Sequence, residues 1–127
     1  VGVSDVGNVI NPLLLNGQIF GGIGQGAGQV LMEGIRYDKN TGQMKTGSFL
    51  DYAMPRASDF CSFELTDNPT ITKVNPMGSK GVGEVGTACA MPTVVNAVVD
   101  ALAPLGVKHV DMPVSAENIW TAINMAG

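Results

Sequence analysis

The chain has 127 residues, with 7 Lys+Arg, 11 Asp+Glu and 1 His, for a formal net charge of −4. Apolar residues make up 45% and charged residues 14%, a balance that excludes intrinsic disorder, and the acidic surplus speaks against a nucleic-acid binder, which needs a basic face. No apolar run approaches the ~20 residues that span a bilayer, and two cysteines, Cys61 and Cys89, are too few for a disulfide scaffold or a zinc site.

The length predicts one domain. So few cysteines fit a reducing compartment, and a cytoplasmic location is expected. Two features are unusual for a free-standing domain of this size. Charged residues average about 25% and glycine about 7% in soluble domains, whereas this chain has 14% charged residues and 17 glycines. It also begins at Val1, in what reads as mid-strand. The expectation is a piece of a larger protein, or a subunit buried in a complex.

In chain order, residues 1–5 read as a strand followed by a turn. Asn11-Pro12 reads as a turn or a helix start, because proline sets φ and lacks a donor. Residues 17–35 carry apolar side chains at helical spacing, at Ile19, Phe20, Ile23, Ala27, Val30, Leu31 and Ile35. Six glycines between Gly17 and Gly28 interrupt this run, and each would cost about 0.5–1 kcal/mol relative to alanine if exposed. The helix therefore makes sense if it is buried, with another backbone or a ligand close to it. Residues 36–48 predict a hairpin around the polar run Asp38, Lys39, Asn40, Thr41, Gly42. Residues 49–59 read as a short helix or turn, residues 62–65 as a short strand, and residues 66–79 as loop with an extended piece near 71–74. Residues 87–102 form the clearest helix, with Met91, Val94, Val95, Val98, Val99 and Leu102 on one face. Pro104 and Gly106 end it. Residues 107–110 predict a strand. Ser115 opens a last helix with Ile119, Trp120 and Ile123 on its apolar side.

The first chemical candidate is Gly81-Val82-Gly83-Glu84-Val85-Gly86. It fits GxGxxG and opens a helix, which invites dinucleotide binding with phosphate on the helix N-terminus. The context is poor: a Rossmann turn follows a buried strand, and a glutamate in the turn repels a pyrophosphate. Glu84 is either a capping or solvated residue, or a general base with bare backbone on both sides. Gln18, Gln25 and Gln29 lie in a nearly uncharged glycine-rich helix. They are either buried amides paired with backbone or groups holding a polar ligand. His109 has no partner at metal spacing. Asp5 and Asp111 flank turns and are expected to cap backbone, and both cysteines are expected to be packed as small hydrophobes.

Taken together, several runs resemble one family. They are Asp5-Val6-Gly7-Asn8-Val9-Ile10-Asn11-Pro12, then Gly17-Gln18-Ile19, then Gly22-Ile23-Gly24-Gln25-Gly26, Leu31-Met32-Glu33 and Ser79-Lys80-Gly81-Val82-Gly83-Glu84. In order and spacing they resemble the C-terminal part of the molybdenum-binding large subunit of the xanthine dehydrogenase, aldehyde oxidase and carbon monoxide dehydrogenase family. Pro92, Asn96-Ala97 and Asp100-Ala101 fit as well, and the likeness covers nearly the whole chain.

The resemblance implies an α+β fold in which residues 1–127 are part of one domain, with helices packed on short mixed strands. It implies a hydroxylase that oxidises an aldehyde, N-heterocycle, purine or CO with water as the oxygen source. Glu84 would be the catalytic base. Gln18 would hydrogen-bond the pterin close to the metal, and Gly81, Val82 and Gly83 would line the metal pocket, with Ser79 and Lys80 less direct. No protein side chain would ligate the metal. The cofactor would be a molybdenum pterin in its cytosine dinucleotide form. The expected partners are the remainder of the large subunit, iron-sulfur clusters and FAD on other domains or subunits, and a small-molecule substrate. On this reading the chain alone is inactive. The alternatives are a nucleotide-binding α/β module using residues 81–86 and a non-catalytic assembly remnant.

Overall fold

The structure, a computed structural model, describes residues 1–126. Two short strands and three helices make up its regular elements: β1 (Gly2–Ser4), α1 (Pro12–Leu31), β2 (Leu65–Asp67), α2 (Val85–Leu102) and α3 (Ala116–Ala126). Single 3-10 turns lie at Ala57–Asp59 and Ala103–Leu105. The α+β class is as expected. The strands differ from expectation: β1 and β2 pair in parallel, Gly2 with Leu65 and Ser4 with Asp67, so the sheet is a single parallel ribbon and not a mixed one. The helices pack chiefly on each other.

Helix α1 starts at Pro12, five residues before the apolar spacing places it, because Asn11 caps it. The Asn11 side chain accepts from the Leu14 amide, and Pro12 sits where no intrahelical donor is needed. It ends at Leu31, where the Met32 and Glu33 amides both return to the Gly28 carbonyl. Its buried face includes Leu15, Ile19, Gly22, Gly26 and Val30, so Gly22 and Gly26 lie on the inside and Phe20 on the outside, while Ile35 lies beyond the helix end and is exposed.

Helix α2 supplies the matching surface. A Cβ on Gly86 would stand 2.4 Å from the Ile19 carbonyl oxygen and 2.8 Å from the Ile23 nitrogen. A Cβ on Gly22 would stand 2.9 Å from the Thr87 nitrogen, and one on Gly26 2.9 Å from Ala90 Cβ. Residues 22 and 26 thus meet 86–87 and 90–91 in the same sequence direction, so the helices run side by side in parallel. Helix α2 and the turn after it are long and apolar enough to cross a membrane. In this fold that surface serves packing: Gly86 and Ala90 lie against α1, and Met91, Val94, Val95 and Val98 lie against a cluster at the other end.

That cluster contains Val30, Leu102, Val107, Val110 and Val114, with Ile119, Ala122 and Ile123 of α3. Residues 107–110 form no strand: the buried positions of the 107–114 segment, 107, 110 and 114, do not alternate, and the segment is anchored instead by the Val114 amide donating to the Val30 carbonyl. Ser115 does start α3, its hydroxyl accepting from the Asn118 amide. Trp120 is 68% exposed, outside the expected apolar face. The predicted hairpin is a tight loop with one bridge, Tyr37 to Met44, closed by Asp38 and Gln43. The strand expected at 62–65 forms at Leu65–Asp67, and 71–74 stays irregular.

Candidate active site

The segment leading to Glu84 is stitched to the end of β1. Gly7 pairs with Ser79 in an antiparallel bridge. The Asn8 amide donates to the Gly78 carbonyl at 2.9 Å, the Lys80 amide to the Val6 carbonyl at 2.9 Å, and Asn8 Nδ2 to the Met77 carbonyl at 3.1 Å. Gly7 has a φ of +65, and a Cβ there would fall 2.3 Å from the Gly78 oxygen, so the close crossing of the two chains requires glycine.

Asp5 locks the same crossing. Its carboxylate accepts from the Gly7 amide at 3.2 Å, the Thr70 amide at 3.0 Å and Lys80 Nζ at 2.7 Å. The hydrogen bond from Lys80, followed by that from Thr70, lowers the Asp5 carboxyl from 3.8 to about 2. Asp5 thus caps backbone as expected and also holds the Glu84 loop through Lys80.

Beyond Lys80 the loop is bare. Cβ atoms built on Gly81 or Gly83 meet nothing. Glu84 is the N-cap residue of α2, yet its side chain makes no capping hydrogen bond, and it is exposed. That removes the capping reading of Glu84 and leaves a carboxylate unengaged by its own helix. One turn into α2, Thr87 Oγ1 donates to the Gly22 carbonyl at 3.1 Å and lies 3.3 Å from Gln25 Oε1.

Gln18 projects from α1 and is exposed. It lines a cavity of ≈ 300 Å³ together with Val6, Leu15, Ser79, Lys80 and Val82. Among the expected site residues, the fold therefore brings Gln18 and Val82 onto one cavity, with Ser79 and Lys80 beside them. Gly81, Gly83 and Glu84 flank it in the chain without lining it. A larger cavity of ≈ 490 Å³ lies between residues 106–111 and α3, and none of these residues line it.

The amides of Gln18, Gln25 and Gln29 are all exposed, which excludes the buried-amide reading. Both cysteines are exposed, against expectation, and line one apolar groove beside β1. His109 pairs with Asp111 at 2.9 Å, so Asp111 binds a side chain instead of capping backbone. Among the described residues no group of His, Cys, Asp and Glu is arranged to hold a metal ion. The glycine run at 81–86 follows turns and a single bridge at 76–80, which is not the buried strand that a dinucleotide turn requires.

Sequence reasoning missed two contacts. Tyr52 donates to Glu33 at 2.7 Å, and that bond raises the Tyr52 hydroxyl above its ordinary value. Thr87 was read only as the start of a helix. A threonine at a helix start is ordinary, and nothing in the sequence signals that its hydroxyl reaches a second helix.

Comparison with known proteins agrees with the resemblance. A family model described as a molybdopterin cofactor-binding domain matches residues 1–61. The nicotine 6-hydroxylase large subunit of Paenarthrobacter nicotinovorans is 41% identical over 94% of this chain and 15% of its own length. The carbon monoxide dehydrogenase large chain of Hydrogenophaga pseudoflava is 33% identical over 95% of this chain and 15% of its own. The crystal structure of quinoline 2-oxidoreductase from Pseudomonas putida 86 superposes with a TM-score of 0.90 at 38% identity, covering 98% of this chain and 16% of that one. The chain thus spans about 15% of the length of the curated relatives it matches. Along nearly its whole length the chain is thus similar to one segment of molybdenum-cofactor-binding large subunits such as those of nicotine 6-hydroxylase and carbon monoxide dehydrogenase.

Proposed function

We propose that residues 1–127 are the C-terminal part of the cofactor-binding domain of a molybdenum hydroxylase, supplying its catalytic base and one wall of its pterin pocket. The observation that carries this reading is the convergence of Gln18 with Ser79, Lys80 and Val82 on one cavity, just before Glu84 opens α2. The donor set suits an organic pterin better than a bare ion. It offers a free side-chain amide at Gln18 and uncovered backbone at Gly81 and Gly83.

Gln18 would hydrogen-bond the pterin, and Gly81, Val82 and Gly83 would let it approach the backbone closely. When bound, the molybdenum-pterin group would supply the acceptor for two electrons and an oxygen drawn from water. Glu84 would accept the proton released as that oxygen is transferred to carbon. Its carboxylate is free of capping bonds and flanked by glycine at 83, so no side chain of its own loop blocks it. General-base assistance of this kind is worth about 10²–10⁴-fold in rate.

Substrates in this class are N-heterocycles, aldehydes, purines or CO. Higher identity to the nicotine and quinoline enzymes than to the carbon monoxide enzyme favours an N-heterocycle. Relatives described as a large chain and as subunits of complexes support a multi-subunit assembly. Iron-sulfur and flavin centres would then lie on other domains or subunits. The likeness to bacterial enzymes supports the cytosine dinucleotide form of the pterin. Many apolar side chains stand open here, among them Leu50 at 93% and Val74 at 92% exposure, which fits coverage by the remainder of the large subunit.

The test is metal and pterin analysis of the complete enzyme. The expected result is stoichiometric molybdenum and pterin, with cytidine monophosphate released on acid hydrolysis. A fully assembled enzyme without molybdenum or pterin would contradict the reading.

A further inference from the structure

Glu84 and Gln18 sit on different helices, and something must fix their separation. The helices touch at one place near both residues. Gly22 lies four residues after Gln18 on α1, and Thr87 lies three residues after Glu84 at the start of α2. Between them there is only backbone and one hydroxyl: the Gly22 and Gly86 backbones are in direct contact, and Thr87 Oγ1 donates to the Gly22 carbonyl at 3.1 Å. Because the helices run in parallel, one turn back from this contact leads to Gln18 on α1 and to the Glu84 cap on α2.

Close packing of two glycine faces limits how near the helices can come, but a smooth face resists sliding weakly. A slip of one residue along a helix moves its end by about 1.5 Å. Misplacement of about 1 Å can cost about 100-fold in rate. A hydrogen bond is directional, and the Thr87 hydroxyl supplies the only side-chain hydrogen bonds between α1 and α2 among the described residues.

We propose that Thr87 is a positioning residue that sets the spacing between Glu84 and Gln18 through its hydroxyl on the Gly22 carbonyl. Gln25 Oε1, 3.3 Å from the same hydroxyl, is the second acceptor within its reach. The proposal rests on the assignment of Glu84 as base and Gln18 as pterin contact.

The experiment uses the assembled enzyme in four forms beside wild type: Thr87→Val, Thr87→Ala, Thr87→Ser and Glu84→Gln. Thr87→Val keeps the shape and removes the hydroxyl, Thr87→Ala removes it without any risk of crowding, and Thr87→Ser keeps it. For Thr87→Val and Thr87→Ala the expected result is a fall in kcat of about tenfold or more, since misplacement near the chemistry is costly. KM should change little, molybdenum and pterin content should be retained, and crystal structures should show residues 83–87 displaced along α1. Thr87→Ser should return kcat to within about twofold of wild type, because the bond to Gly22 is restored. Wild-type kcat in both hydroxyl-free variants would overturn the proposal, as would a serine variant as slow as the alanine one, or undisplaced 83–87 backbones. Glu84→Gln separates the two levels: if it is slow while Thr87→Val and Thr87→Ala are not, only the positioning role falls. If Glu84→Gln turns over like wild type, the base assignment falls and the positioning role with it.

Discussion

The two ends of the α1–α2 pair are built on different principles. At the N-terminal end, Gly22 and Gly86 bring the helix backbones into direct contact, next to Gln18 and Glu84. At the C-terminal end, Val30 is fully buried among Val94, Val98, Leu102 and the valines of 107–114. Side-chain packing is graded, because neighbours can relax around a lost methyl. Backbone contact is not graded, because no rotamer can make room. The end beside the two proposed site residues uses a contact that admits no added side chain. The end that only has to be stable uses ordinary aliphatic packing.

Gly86→Ala should have the largest effect on this contrast. Its new Cβ would lie 2.4 Å from the Ile19 carbonyl oxygen, so the helices must separate, at a cost of about 1–3 kcal/mol or more. Turnover per molybdenum in the assembled enzyme should fall steeply along with the thermal midpoint. Val30→Ala should cost about 2 kcal/mol, from lost burial and a residual cavity. Its thermal midpoint should drop while turnover per molybdenum stays near wild type. If Val30→Ala lowers turnover per molybdenum as much as Gly86→Ala does, the two ends do not differ in function and the contrast is broken.

Asp5→Asn should have the smallest effect, since partly exposed ion pairs contribute little at neutral pH. Its signature is the pH dependence. The folded-state carboxyl is lowered from 3.8 to about 2. The ionised form therefore contributes its full stabilisation above about pH 3.8, and that contribution fades as pH falls through about 2. Thermal midpoints measured across this window should decline less steeply in the asparagine variant than in wild type.

The long elements were legible because their signals are local. Residues 87–102 announce a helix by spacing alone, and the Asn11 cap with Pro12 announces the start of α1, even though the apolar count placed that start at Gly17. What the apolar count could not see is a buried face made of glycine. Gly22 and Gly26 contribute no hydrophobicity, yet they belong to the inner face of α1, while Phe20, one of its apolar positions, faces outward. The 107–110 strand failed for a related reason. Its valines are buried, but by packing against α3 and Val30, with no strand edge to pair. The cysteines and Trp120 were expected inside because their side chains are apolar. In a chain that spans about 15% of its relatives' length, apolar character does not imply burial within the segment. The candidate site stood out in the sequence only as a glycine-rich motif and through a resemblance. The stitching by Asp5 and Thr87 was not legible, because each joins residues more than 60 positions apart.

The central claim is that this segment carries the base of the reaction at Glu84. The most direct measurement is the rate at which substrate reduces the assembled Glu84→Gln enzyme, with molybdenum and pterin quantified on the same sample. The account predicts full cofactor content and a reduction rate lower by about 10²–10⁴-fold. Full cofactor content with an undiminished reduction rate would contradict it.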